Sequence, residues 1–473
     1  MTGRYQNDIQ HHTDKEVGIE MHRLTTRQSR ALAVTATAGA LILAGCADDQ
    51  EEGGTDAPDS DQITQEDIDA AMTTETNLTF WTWVPDIQNQ VDLFEAEYPA
   101  IDVEVVNVGQ GAPHYQKLRT ALESGTGAPD VVQIEFQHLP SFRLGDHLLD
   151  LAPYGVGDIA GDYAEWIWSQ VSEGDAVYAV PQDTGPMGNL YREDLLGDAG
   201  IDVPTTWEDF GEAARTYREA NPDSYLANMP GNDPGQFVGL LWQAGARPFG
   251  YDGAETVTIA LDTTEVATVI DFWNPLVQDD VIGVDPDFTD QWYQGLANGR
   301  YASWQTAAWG PVFLQGTAGD TSGLWRAAPL PQWEGAEAAG NWGGSTDAVV
   351  ETTANPIAAA QLALWINTEQ EPALKFATEQ FLFPASQKIL EDSAFLEQEA
   401  EFYGGQQVNK EFADISASVV PDFGWLPFMD FAYSSFNETL GKAFAERTDL
   451  NDGLIAWESE LEDYATAQGF TVE

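Results

Sequence analysis

Cys46 is the only cysteine among 473 residues, and its neighbours define what its thiol can do. It follows Leu43-Ala44-Gly45, behind an apolar run from Ala31 to Leu43 and three arginines, Arg23, Arg27 and Arg30. A basic start, a short apolar core and small residues at the cut are the parts of an export signal. Cysteine directly after Leu-Ala-Gly resembles a lipobox, in which the thiol takes up a diacylglycerol and becomes the first residue of the processed chain. The apolar run is too short to span a bilayer. Residues 1–45 are therefore expected to be a signal peptide, with the remainder outside the cytoplasm on a lipid anchor at Cys46. Met21-His22-Arg23 offers an ordinary signal start, so residues 1–20 read as a start-site extension. A single cysteine leaves no disulfide within the chain and no Cys-based zinc site.

Other reactive groups are plentiful but not in catalytic spacing. The sequence has no HExxH, no GxSxG and no calcium loop of the D-x-[DN]-x-[DN]-G type. After Cys46 the histidines are His114, His138 and His147, in no metal-ligand spacing. Gly109-Gln110-Gly111 is a turn, since neither GxGxxG nor a phosphate-loop lysine follows. No catalytic residue, metal or cofactor is expected.

The charge is extreme. Residues 1–45 hold five Lys/Arg and four Asp/Glu, so 14 basic and 74 acidic residues follow, a net of −60. The acids run along the whole chain, and no Lys or Arg occurs between Arg30 and Lys117. Such a surface repels nucleic acid, which is excluded as a partner. Self-repulsion on this scale is relieved by salt, because the screening length falls to about 3 Å at 1 M. Composition thus points to a salt-loving source.

The elements that position the chemistry follow from pattern. Residues 46–76 alternate acids with Gly, Ser, Thr and Pro and read as a solvated, disordered linker. Leu78–Trp83, Ile101–Val106 and Asp130–Ile134 read as strands. Between them lie a helix carrying Val91, Phe94 and Tyr98 and a second from Tyr115 to Ser124, stopped by Gly125. That alternation predicts a parallel α/β sheet with helices on its faces. Ligands in such sheets lie beyond the carboxyl ends of the strands, here Trp83, Gln110 and Glu135. Later, Ala176–Pro181 reads as a strand, Thr206 caps a helix from Trp207, and Phe237–Ala244 is a buried helix. The C-terminal part reads as helical over Pro356–Ile366, Pro372–Phe381, Ser386–Leu390, Phe428–Phe444 and Asn451–Ala467.

The order of motifs carries a resemblance. Phe80-Trp81-Thr82-Trp83, Glu97-Tyr98-Pro99, Gly125-Thr126-Gly127-Ala128-Pro129-Asp130-Val131, Val177–Pro181, Tyr191–Leu195, Pro204–Phe210, Ala327–Pro331 and Asn341-Trp342-Gly343-Gly344 succeed one another over roughly residues 75–470. Together they resemble the extracellular solute-binding proteins of carbohydrate ABC transporters, the maltose-binding-protein-like group. Where that family usually has Tyr-Asn, this chain has Tyr191-Arg192. The resemblance implies a type II periplasmic-binding-protein fold, α/β, with two hinge-connected lobes, each a mainly parallel sheet flanked by helices. Mapped here, lobe one covers 75–185 plus 345–400 and lobe two 186–344 plus 401–473, with crossings near Gln182–Asn189 and Gly343–Val349. It further implies a monomer that binds a mono- or oligosaccharide, passes it to permease subunits of the importer, and meets the membrane through the anchor alone.

A sugar needs an aromatic plate for its C–H face and amides or carboxylates for its hydroxyls. The chain has 16 Trp. The resemblance makes Trp309 the plate of lobe two, and Trp342 precedes Gly343, whose bare backbone a ligand could approach. Trp83, Gln110 and Glu135 lie at strand ends, Gln182 and Asp183 follow the strand entering the hinge, Asn232 and Asp233 occupy a Gly/Pro-rich turn, and Asp430 lies near a helix start. Strand-end carboxylates also cap helices and Asn-Asp pairs also make turns. Trp81, Trp168, Trp207, Trp273, Trp365 and Trp457 read as packing. Two other classes stay open: a secreted glycoside hydrolase, which would also show plates and carboxylate pairs, and a carbohydrate-binding surface lipoprotein. Among 74 acids some pair always exists, so carboxylates alone do not separate these readings.

Two outcomes follow from the sequence. Cys46→Ser should release the protein from the membrane fraction or leave the signal uncut; unchanged retention with normal processing would remove the lipobox reading. The melting temperature should climb from 0.1 to 2 M KCl as repulsion is screened. A flat profile would count against adaptation to salt.

Overall fold

The computed structural model describes residues 63–473; Cys46, the signal and the first part of the acidic linker lie outside the described residues. The end of that linker is ordered, which corrects the expected boundary. Gln65–Met72 is a helix whose cap Thr64 accepts from the Asp67 N–H while the Asp67 side chain accepts from the Thr64 N–H. Glu66 and Asp67 complement the positive helix start, and Met72 is buried. A local capping box and one apolar anchor thus override the polar composition.

The first sheet begins as read. Strand β1 (Thr76–Trp81) runs parallel to β2 (Ile101–Val106) over six paired positions, Thr76 with Ile101 to Trp81 with Val106. Strand β3 (Val131–Glu135) flanks β1 on its other side, also parallel. The helices Gln88–Glu97 and Ala112–Ser124 make the crossovers, and the second ends on left-handed Gly125. The expected strand at 176–181 divides. Ala176–Val177 turns back on Ser172–Glu173, and only β4 (Val180–Pro181) joins the first sheet.

The second sheet has β5 (Met187–Arg192) at its centre, between β6 (Ser303–Ala307) and β7 (Trp325–Pro329). Both neighbours run antiparallel to β5, so the expectation of a mainly parallel sheet in each lobe fails here. The cause is topological. β6, the helix Gly310–Thr317 and β7 form a strand–helix–strand unit whose strands are parallel to each other but stand one position apart. The gap admits β5 running the other way. The last strand of the first sheet, β8 (Ser345–Val349), lies between β3 and β4, antiparallel to both. The expected helix at 428–444 is two, Met429–Glu438 and Leu440–Glu446, divided at Thr439.

The chain passes between the sheets after β4 and again between β7 and β8. These two crossings touch. Trp342 N–H donates to Gly185 O (2.8 Å), Gly185 N–H donates to Asn341 Oδ1 (2.8 Å), and Asn341 Nδ2 donates to Gly343 O (2.7 Å). A Cβ on Gly185 would stand 1.9 Å from the Trp342 carbonyl oxygen, so only glycine allows the approach. Beside them two acids are buried. Asp183 Oδ1 accepts from the Ser345 N–H (2.6 Å), and Asp347 Oδ2 accepts from Gln182 Nε2 (2.9 Å) and Asn367 Nδ2 (2.7 Å).

Burial pushes Asp183 up to about 6 and Asp347 up to about 7, the latter also through the Asp183 charge. Carboxylates raised in the folded state contribute stability that is full below their ordinary range and lost as pH rises through about 6 and about 7. Carboxylates held low by a partner, such as Asp194 under its Arg192 hydrogen bonds, add their dependence only at lower pH. His114, held down to about 4 by burial, works the other way below its ordinary range and is outweighed by the several raised acids. The melting temperature in constant molar KCl should therefore be higher at about pH 5 than at about pH 8, and Asp347→Asn should flatten that slope. A wild-type melting temperature equal or higher at the alkaline end would refute this account of the hinge acids.

Candidate functional site

Where the crossings meet, aromatic rings gather. Trp309 directly precedes the helix Gly310–Thr317, just past the end of β6. Its Nε1–H donates to Trp342 O (2.9 Å), which fixes its ring edge-to-face on Trp342 at 4.7 Å. Trp342 in turn lies on the start of the helix Pro234–Gln243, where a Cβ on Gly235 would be 2.3 Å from the indole nitrogen. Phe288 completes the group, 5.9 Å from Trp309 and 6.1 Å from Trp342. It is 41% exposed, and its backbone is left-handed at φ +54°. For a bulky side chain that conformation costs on the order of 1–3 kcal/mol and collects at functional sites.

Carboxylates face these rings. Asp233 caps the helix Pro234–Gln243, its Oδ1 accepting from Gly235 N–H (2.7 Å). Burial, then the charge of Glu135, pushes it up to about 6. Asp183 is raised partly by the same Glu135, so three acids share one field. Asp287 is buried, and burial with the Asp233 charge pushes it up to about 8. Two phenols border the group. Burial raises Tyr433, helped by Asp233 and Glu135, and takes Tyr293 up to about 12, helped by Asp287.

The expected residues separate into neighbourhoods. Trp309, Trp342, Gly343 and Asp233 come together. Gly343 is left-handed (φ +83°), and a Cβ there would meet Trp309 Nε1 at 3.4 Å, so its bare face is turned to the plate. Glu135 accepts from Tyr115 Oη (3.0 Å), and Trp83 stands edge-on to that tyrosine at 6.4 Å, two residues past the end of β1. Asn232 Oδ1 accepts from the Asp287 N–H (3.1 Å). Gln182 turns its amide into the hinge, onto Asp347. Asp430 pairs with His138 Nδ1 (3.1 Å) and with Arg119, tying the helix Met429–Glu438 to the first sheet's side of the molecule. Gln110 is exposed on its turn.

Asp287, Phe288, Tyr293 and Tyr433 escape the sequence reading. The run Val284-Asp285-Pro286-Asp287-Phe288-Thr289 looks like an ordinary acidic turn before the helix Asp290–Asn298. Only the contact of Phe288 with rings from two other segments distinguishes it. Of the tryptophans read as packing, Trp207, Trp273 and Trp457 are buried outright, and Trp81, Trp168 and Trp365 pack partly buried against the core.

The comparisons with known proteins agree with this architecture. The family model described as bacterial extracellular solute-binding protein matches residues 78–371. An arabinooligosaccharide-binding protein of Halalkalibacterium halodurans is 27% identical over 324 residues, 64% of this chain and 69% of the relative. A lactose-binding protein of Rhizobium radiobacter is 26% identical over 375 residues, 71% of this chain and 81% of the relative. Among solved structures, the ABC transporter associated binding protein of B. animalis subsp. lactis in complex with β-1,6-galactobiose superposes with a TM-score of 0.74 at 31% identity, covering 85% of this chain and all (100%) of that one. The galacto-N-biose-/lacto-N-biose I-binding protein of Bifidobacterium longum, in complex with lacto-N-biose, gives 0.74 at 25% identity over 84% and 98%. With two sheets joined by touching crossings, rings and acids at their meeting point, and a family match across more than half of its length, the chain belongs to the bacterial extracellular solute-binding protein family.

Proposed function

We propose that the protein captures a saccharide between two lobes and delivers it to the membrane subunits of an ABC importer, without chemical change. Lobe one is taken as 75–185 plus 345–400 and lobe two as 186–344 plus 401–473. The folded body works as a monomer on the outer face of the membrane, held by lipid on Cys46 and needing no cofactor.

The observation that carries this reading is the aromatic group of Trp309, Trp342 and Phe288 set against Asp233 at the crossings. Rings supply the C–H face of a pyranose and acids its hydroxyls. Relatives named for arabinooligosaccharide and lactose, and a solved relative holding galactobiose, support a saccharide ligand of one or a few units. The position at the meeting of the crossings suits capture, since lobe closure about a hinge encloses whatever lies there.

Trp309→Ala removes a plate. A fully buried large side chain contributes on the order of 1.5–3 kcal/mol, so affinity should drop roughly tenfold to a hundredfold with the fold intact. Calorimetric titration against a saccharide panel, arabino- and galacto-oligosaccharides first, should give one site per chain, quenched Trp fluorescence and no released reducing sugar. Wild-type affinity in Trp309→Ala would overturn the site assignment. Turnover abolished by one carboxylate substitution would transfer the protein to the glycoside hydrolases.

A further inference from the structure

Two aspartates on one loop are treated in opposite ways. Asp285 accepts from Arg300 Nε (2.9 Å) and Nη2 (2.8 Å). Asp287 is only 3% exposed, and among the described residues neither Oδ1 nor Oδ2 is met by a donor in hydrogen-bond geometry, the Asn232 side chain being the neighbour that partly favours its charged form. Its charged neighbour is a second acid, Asp233. No ion pair among the described residues includes either of them. A buried carboxylate without donors is costly, and a second acid nearby makes it costlier. The next residue, Phe288, is held left-handed with its ring among Trp292, Tyr293, Trp309 and Trp342. An unpaired buried carboxyl and backbone strain thus sit at adjacent positions, beside the aromatic rings.

Resting on the saccharide reading, we propose that Asp287 and Asp233 form a recognition pole for a protonated amine, so that the ligand is an amino sugar. Its ammonium lies at the two acids and its ring against Phe288, Trp309 and Trp342. An ammonium brings up to three donors and a positive charge, where a hydroxyl brings one donor and none. Aromatic faces attract organic cations as well as C–H groups. A metal ion is the poorer occupant, because among the described residues no three His, Cys, Asp or Glu converge on a metal position. The upward pressure on both acids, to about 8 for Asp287 and about 6 for Asp233, is what a cation between them reverses.

The test is titration calorimetry in molar KCl on the wild type and Asp287→Asn. The probes are matched pairs: glucosamine with glucose, galactosamine with galactose, and the β-1,4 glucosamine disaccharide with cellobiose. Tetramethylammonium serves as a cation without a sugar. In the wild type at least one aminated member should bind at least about tenfold tighter than its neutral partner, a difference of about 1.4 kcal/mol. Asp287→Asn should erase that preference. Asp287→Ser serves as a second variant should the first fail to fold. Neutral sugars binding without any preference for amine would overturn the inference and leave the proposed function standing. A preference that survives both substitutions would also overturn it. Binding of tetramethylammonium with every sugar silent, or no binding at all, would overturn the inference, and the saccharide reading would fall only if the arabino- and galacto-oligosaccharide panel were silent as well.

Discussion

The contact between Gly185 and Trp342 is the constraint on which the rest depends. One residue of each crossing meets the other with no room for a Cβ, and a hydrogen bond from Trp342 N–H to Gly185 O closes the contact. The carbonyl of the same Trp342 accepts from the indole of Trp309. A single residue, through its N–H and its C=O, therefore ties the two crossings together and orients Trp309. Its own ring is set by Gly235 at the start of a helix whose cap is Asp233. The crossings, Trp309, Trp342 and Asp233 are thus one connected object, and a displacement of the crossings moves all of them.

The acids divide by environment. Most of the excess negative charge lies in water, where salt screens it. A few are withdrawn into the protein, and these are treated in two ways. Asp183 and Asp347 are each supplied with donors from the backbone or from amides. Asp287 has no donor in hydrogen-bond geometry among the described residues, only the nearby Asn232 side chain. Burying charge without compensation is tolerated where the compensation is to come from outside. That asymmetry, more than the number of acids, is what supports the proposed site.

Much of the frame was legible from local pattern. Strands β1, β2 and β3 and their crossover helices follow from alternation and from stops such as Gly125, because short-range crossovers fix a parallel sheet. The antiparallel second sheet was not legible, since β5 finds its partners only after a long excursion and no local rule sets their direction. Trp309 and Trp342, whose rings the structure brings together, were singled out by a family resemblance and by the glycines that follow Trp342. Asp287 and Phe288 were not, because their significance lies in contacts between distant segments. The helix Gln65–Met72 was lost to composition, although the Thr64–Asp67 cap was present in the residues.

The order of the strands has a kinetic consequence. Thr346 on β8 donates to Ile134 on β3 across 212 residues, and β5 joins β6 with Gln305 donating to Asn189 across 116 residues. Each sheet is thus completed by a strand synthesised long after its first members. Folding that waits on such distant pairings is slow, because loop closure precedes the contacts that reward it. A nascent chain of this topology stays open while most of it is being made. On the proposed route to the outer face of the membrane, that delay keeps the chain threadable until it has crossed.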